Sequence, residues 1–171
     1  MDSPQPASQK HSLPAGSMQN GAGAWVVFKL DEQEFAVTLS AVDRVVRAVE
    51  VTPMPEAPRG VRGVINFQGR IVPVFDLWAR FGLPTREVRA SDHLVIAHTH
   101  WRTVALLVTS VTGVVSRGEA QITPATDILP DLDAITGVMK FEDNMVLVHD
   151  LERFLSIEDH EALQLMLNLQ P

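Results

Sequence analysis

The chain has 171 residues and a mass of 18.8 kDa, room for one domain or two small ones sharing a core. It has no cysteine, which excludes disulfides, thiolate metal sites and cysteine nucleophiles. Its formal charge of −7 argues against general nucleic-acid binding, which depends on neutralising phosphates. No apolar run reaches the length of a membrane span, and no signal-peptide core precedes the domain, so the expectation is a soluble cytoplasmic protein. Valine outnumbers leucine by 22 to 17. A β-branched side chain loses rotamer freedom in a helix and packs well on a pleated sheet, so this excess points to a β-rich fold. The charge is also divided. Residues 24–90 carry nine Lys/Arg and eight Asp/Glu, whereas residues 91–171 carry four and twelve.

Residues 1–23 are Pro, Ser, Gln, Gly and Ala with little to bury, and read as a disordered tail. Short β-like runs follow. Trp25–Leu30 and Glu34–Leu39 flank a polar Asp31–Gln33 turn, and Val42–Val51 runs into Thr52-Pro53-Met54-Pro55-Glu56-Ala57-Pro58. Proline removes a ladder donor, so that stretch is an extended surface connection. Gly60–Gly69 reads as a strand and tight turn in which Gly69 suits a positive φ, and Arg70–Leu77 reads as a strand with Pro73 at an edge or bulge. Leu94–His98, Thr103–Val108 and Val111–Val115 continue the pattern. Apart from short turns of helix after Asp76 and Asp150, helix is expected only at the end, over 157–171. Ser156-Ile157-Glu158-Asp159 resembles a capping box, and Leu163, Leu165, Met166, Leu167 and Leu169 form an apolar stripe for the domain's own core.

The two halves of the chain resemble each other. Gly63–Leu77 aligns without gaps on Gly137–Leu151, with Gly, Val, Phe, Val, Val, Asp and Leu identical at seven of fifteen positions. Chance gives about one. Ile71 and Met145 are conservative partners, Val42–Val46 matches Val111–Val115, and Thr52-Pro53 recurs as Thr123-Pro124. A unit near 70 residues, present twice, implies two small β-barrels related by a pseudo-two-fold axis, with repeat units of roughly 24–90 and 91–156. Each unit is marginal alone, so their interface belongs to the core. The equivalent Asp76 and Asp150 are placed to cap short helices.

Enzyme signatures are absent: no phosphate loop, dinucleotide fingerprint, zinc helix motif or serine elbow. His98 and His100 lie two apart, and Asp92 or His93 is the one neighbour offering a third metal ligand. A ligand- or metal-binding β-barrel module is therefore the alternative function. His149-Asp150 is not an acid–base pair, since adjacent strand residues point to opposite faces.

Phe28-Lys29-Leu30, Phe35-Ala36-Val37, Val42-Asp43-Arg44-Val45, Thr52-Pro53-Met54-Pro55, Gly63–Gly69, Ile71–Leu77 and Ile135–Leu151 occur in an order that resembles the CheW family of chemotaxis coupling proteins. The resemblance covers about residues 24–156. It implies an all-β fold of two intertwined five-stranded SH3-like barrels with a short C-terminal helix. It also implies a non-enzymatic adaptor with no cofactor and no catalytic or metal residues. The implied partners are the cytoplasmic tip of a chemoreceptor (a methyl-accepting protein) and the regulatory domain of a CheA-type histidine kinase. Ring or array assembly follows, with recruitment to membrane-associated receptor arrays but no membrane insertion and no nucleic acid. By motif match the receptor groove comprises Val42, Arg44, Asn66, Phe67, Gln68, Gly69 and Ile71. Val42 and Ile71 fit either the groove or the barrel seam, and Asn66 and Gly69 also suit a turn. The family commonly carries Glu at the position of Arg44 and Arg at that of Gln68. A neutral amide replaces neither the charge nor the fork of a guanidinium, so these departures imply either a specialised receptor or chemosensory-like pathway, or two positions on a tolerant rim.

Overall fold

The computed structural model describes residues 23–127, 135–155 and 157–168. The tail up to residue 22, Ser156 of the capping box, Leu169 and residues 128–134 lie outside that set. In chain order the elements are β1 (Ala24–Leu30), β2 (Gln33–Thr38), β3 (Val42–Arg47), β4 (Val61–Phe67), β5 (Arg70–Asp76), α1 (Leu77–Arg80), β6 (His93–His98) and β7 (Thr103–Val108). They continue as β8 (Ser110–Ser116), β9 (Gln121–Pro124), β10 (Ile135–Phe141), β11 (Asn144–His149), α2 (Leu151–Phe154) and α3 (Ile157–Asn168).

The strands form two sheets, β3-β6-β7-β5-β4 and β8-β1-β2-β11-β10-β9. Neither sheet is built from one half of the chain. The hairpin β1–β2 sits between β8 and β11, and the hairpin β6–β7 sits between β3 and β5. Each copy of the repeat thus lends its first hairpin to the other copy's barrel. The joins are short parallel pairings, Val148 beside Ala36 and Val74 beside Ala105, while every other pairing is antiparallel. The sixth strand of the second sheet, β9, corresponds to an isolated bridge between Thr52 and Val64 in the first, as the Thr-Pro echo suggests.

This exchange explains why the hairpins read as continuous apolar runs. Both faces of β1 are covered: Val26, Phe28 and Leu30 enter the large core shared by the two barrels, while Val27 enters the smaller core with Val115, Met139 and Val146. Every residue from Leu94 to Ala97 and from Val104 to Val108 is buried for the same reason. The shared interface therefore is core, as the size of each unit requires.

The repeat is also local. Gly63 and Gly137 follow equivalent register shifts, and the bulge at Val42–Arg44 recurs at Val111–Gly113. Asp76 accepts a hydrogen bond from the Ala79 N–H, and Asp150 accepts from those of Glu152 and Arg153, so both act as helix caps. The strand expected over Val42–Val51 stops at Arg47, and the proline-rich stretch runs outside the sheet except at Thr52. On α3, Leu163 is buried in the shared core and Leu167 half-buried, whereas Leu165 is exposed.

Candidate docking face

The seven residues of the expected groove lie together at one end of the five-stranded barrel but divide between two faces. Period-2 alternation separates them. Asn66 and Ile71 are cross-strand partners in the β4–β5 ladder, both pointing outward and both exposed. Phe67 has the opposite parity and packs half-buried against the core, as does Val42. Val42 thus packs half-buried against the seam, whereas Ile71, 61% exposed, stands on the surface.

Arg44 closes the mouth of this barrel. It stands on edge strand β3 while Phe67 stands on the other edge strand, β4, and its guanidinium carbon lies 5.6 Å from the Phe67 ring centroid. Such a contact contributes about 0.5–1 kcal/mol at an exposed site. Arg44 also pairs with Asp43 at 3.4 Å, both side chains being about half exposed, so this ion pair adds little. The turn Gln68–Gly69 has φ of 51° and 80°, positive at both central residues as in a type I′ hairpin, and the Asn66 side-chain oxygen accepts the Gly69 N–H at 3.0 Å. Asn66 and Gly69 thus hold the turn, and Gln68 is its exposed tip.

Three surface residues missing from the expected set stand out beside Ile71. Val45 is 38% exposed, and its repeat partner Val114 56%; Met145, the partner of Ile71, is 59% exposed. Both barrels therefore present the same outward apolar pair, Val45 with Ile71 and Val114 with Met145. The repeat alignment held the signal: these pairs are apolar in both copies although their parity points them away from the core.

A buried polar cluster fixes one barrel against the other. Asp92, 1% exposed, receives two bonds from Arg86 at 2.8 and 2.9 Å and one from the Arg89 N–H at 2.7 Å. Arg86 stacks over Trp78, 4.4 Å from its ring, and pairs with Asp31 at 3.4 Å. The Trp78 indole donates to that same Asp31 at 2.8 Å. Asp31 belongs to the β1–β2 turn and Trp78 to α1, so the cluster spans both barrels. Burial alone raises the Asp92 carboxyl, but the bonds from Arg86 and Arg89 outweigh it and hold the group below its ordinary value.

This engagement bears on the alternative metal site. Asp92 is committed to Arg86, and His93 opens the strand that His98 ends, roughly 16 Å away at 3.3 Å per residue. Neither can complete a site with His98 and His100. No group of three or more His, Asp and Glu among the described residues is placed to hold a metal ion. Among those residues no helix is long and apolar enough to cross a membrane.

Two sheets curled around a shared core, with duplicated apolar residues on their outer faces, define a scaffold of two SH3-like barrels. The CheW-like domain model matches residues 24–159, and the chain belongs to that family. It is 32% identical over 150 residues to the chemotaxis protein CheW of Rhizobium meliloti (strain 1021), covering 86% of this chain and 97% of that protein. Over 130 residues it is 27% identical to the chemotaxis protein CheW of Thermotoga maritima, covering 75% and 84%. The crystal structure of the scaffolding protein TtCheW from Thermoanaerobacter tengcongensis superposes with a TM-score of 0.70 at 28% identity, covering 80% of this chain and 94% of that one. The protein is a non-enzymatic chemotaxis scaffold.

Proposed function

We propose that this protein couples the cytoplasmic tips of chemoreceptors to the regulatory domain of a CheA-type histidine kinase, in the cytoplasm at membrane-associated receptor arrays. The observation that carries the reading is the outward apolar pair presented by each barrel. Two equivalent anchors suit a bridge that engages two partners, or two copies of a related barrel, at once. Ile71, Val45 and the Gln68 tip form the receptor side, where a helical hairpin would supply apolar anchors and a polar rim would set register. Arg44, drawn over Phe67, presents a cation where the family commonly presents an acid, and selects a receptor whose tip complements it.

Hairpin exchange redistributes the charge that is divided along the chain. The barrel of residues 39–108 carries nine Lys/Arg against six Asp/Glu, and the described residues of the other barrel, 24–38, 109–127 and 135–155, carry four against nine. Barrels of net +3 and −5 differ more than the linear halves of the same residues do, +1 for 24–90 and −3 for 91–127 with 135–155. Complementary potentials of this kind favour head-to-tail assembly into rings or arrays and make it sensitive to salt. The test is co-sedimentation of the full chain with receptor cytoplasmic fragments and the kinase. Retention of both partners, weakened by salt, is expected; retention of neither overturns the reading.

A further inference from the structure

Strands β3 and β6 run antiparallel as far as Arg47 opposite His93, and one last bond, Ala48 N–H to the Asp92 carbonyl at 2.9 Å, closes their ladder. Beyond it the two chains part. Residues 48–51 and 53 form one wall and residues 87–90 the other, around a cleft of about 470 Å³ with Arg62 also lining it. That volume lies within the range of binding pockets. The first wall does not rejoin its neighbour because Pro53, Pro55 and Pro58 supply no backbone donor.

The splayed ladder leaves backbone groups open. Val49, Glu50 and Val51 on one wall, and Val88 and Ala90 on the other, make no backbone hydrogen bond among the described residues. Val49 is 50% exposed, and with Val51 and Val88 it gives the cleft an apolar lining. The charges divide in a way that selects an occupant. The Arg62 guanidinium is consumed by Asp76 at 2.6 Å and by the Arg86 carbonyl at 2.7 Å. Glu50, Glu87 and Arg89 make no ion pair among the described residues, but the Arg89 charge acts on the buried Asp92, which leaves Glu50 and Glu87 as the two open charges of the lining.

We propose that this cleft docks an extended segment of a partner protein in which apolar residues alternate with basic ones. Its backbone would resume the interrupted ladder along Val49–Val51 or along Val88 and Ala90. Apolar side chains on one face of the segment would meet the valines, and basic ones would reach Glu50 and Glu87. None of the seven residues of the expected receptor groove lines the cleft, so the site stands or falls independently of receptor coupling.

A fluorescein-labelled octapeptide of alternating Val and Lys, titrated with the full chain by fluorescence anisotropy, tests this. Saturable binding is expected, weakened about tenfold by Glu87→Lys and unchanged by Glu142→Lys, which makes the same charge change on the other barrel. Two further octapeptides are N-methylated at the Val amides or at the Lys amides. One of them should bind about tenfold more weakly, because two or three ladder bonds are lost. Absence of saturable binding, equal weakening by both charge variants, or full affinity of both N-methylated peptides overturns the proposal.

Discussion

Gly63 lies so close beneath the carbonyl of Thr52 that a β-carbon at this position would come 2.1 Å from the oxygen, and Gly137 repeats the approach beneath Thr123 at 2.8 Å. The bonds Thr52 N–H to Val64 O and Val64 N–H to Thr52 O, each 2.9 Å, hold that carbonyl in place, so it cannot give way cheaply. Overpacking a well-packed site costs about 1–3 kcal/mol. Gly137→Ala should fall in that range, and Gly63→Ala at or above its top, because its contact is tighter and the obstacle is backbone. Urea denaturation of the two variants checks the order; equal and small losses would show that the strap moves aside freely.

Arg86 and Asp92 form the buried pair at the centre of the cluster that reaches Asp31 of the other barrel. Removing one member of a buried pair strands the other, at about 3–5 kcal/mol. Arg86→Ala should therefore lower stability by about 3 kcal/mol, the low end, since the Arg89 N–H still reaches Asp92. Arg86→Lys keeps the charge but loses the two-pronged bond and the stacking over Trp78, and should fall between. Thermal and urea unfolding measure both.

The same carboxyl makes stability depend on acid. Its folded value is depressed below the ordinary 3.8, so its contribution is full above that value and is lost as pH falls through the lower, folded one. Wild-type urea midpoints should be flat with respect to this group above about pH 5 and decline below about pH 4. Asp92→Asn should be less stable at neutral pH and show a shallower decline. An unchanged acid slope in the variant would assign the effect to other carboxylates.

Ile71 and Met145 are equivalent exposed apolar residues of the two barrels, the anchors in the proposed coupling role, and neither is needed for the core. Ile71→Asp and Met145→Asp should each leave stability within about 0.5 kcal/mol. Each should cost about 2 kcal/mol in binding to a different partner, as loss of an interface anchor does. Separate titrations with a receptor hairpin fragment and with the kinase regulatory domain distinguish them. Loss of the same partner by both variants would contradict the two-anchor reading.

Arg44 and Gln68 offer a gain-of-function test. Arg44→Glu combined with Gln68→Arg restores the charges usual in the family, and the exchange at Gln68 replaces one non-glycine residue by another at the same positive φ. Affinity for a receptor tip of the usual kind should rise about tenfold, roughly one charge-assisted bond. No gain in a titration would place both residues outside the receptor contact.

What the sequence determined by itself was everything carried by short-range pattern. The valine excess, the duplicated Gly-Val…Phe…Val-x-Val-x-Asp-Leu spacing, the caps at Asp76 and Asp150 and the positive-φ turn at Gly69 each depend on a residue and its near neighbours. These sufficed for the β class, the internal two-fold repeat and the family. Tertiary structure decided which strands pair. β1–β2 is contiguous with β3 in the chain, yet it completes the other copy's barrel, and no local preference distinguishes the two arrangements. Only the burial of both faces of Val26–Leu30, between two cores, makes the difference. The groove residues show the same limit: Asn66 and Phe67 are adjacent in a motif, but the pleat sends one outward and the other into the mouth of the barrel under Arg44. The charge division likewise became sharper in space than along the chain, because exchange carries Asp31, Glu32 and Glu34 to the acidic barrel.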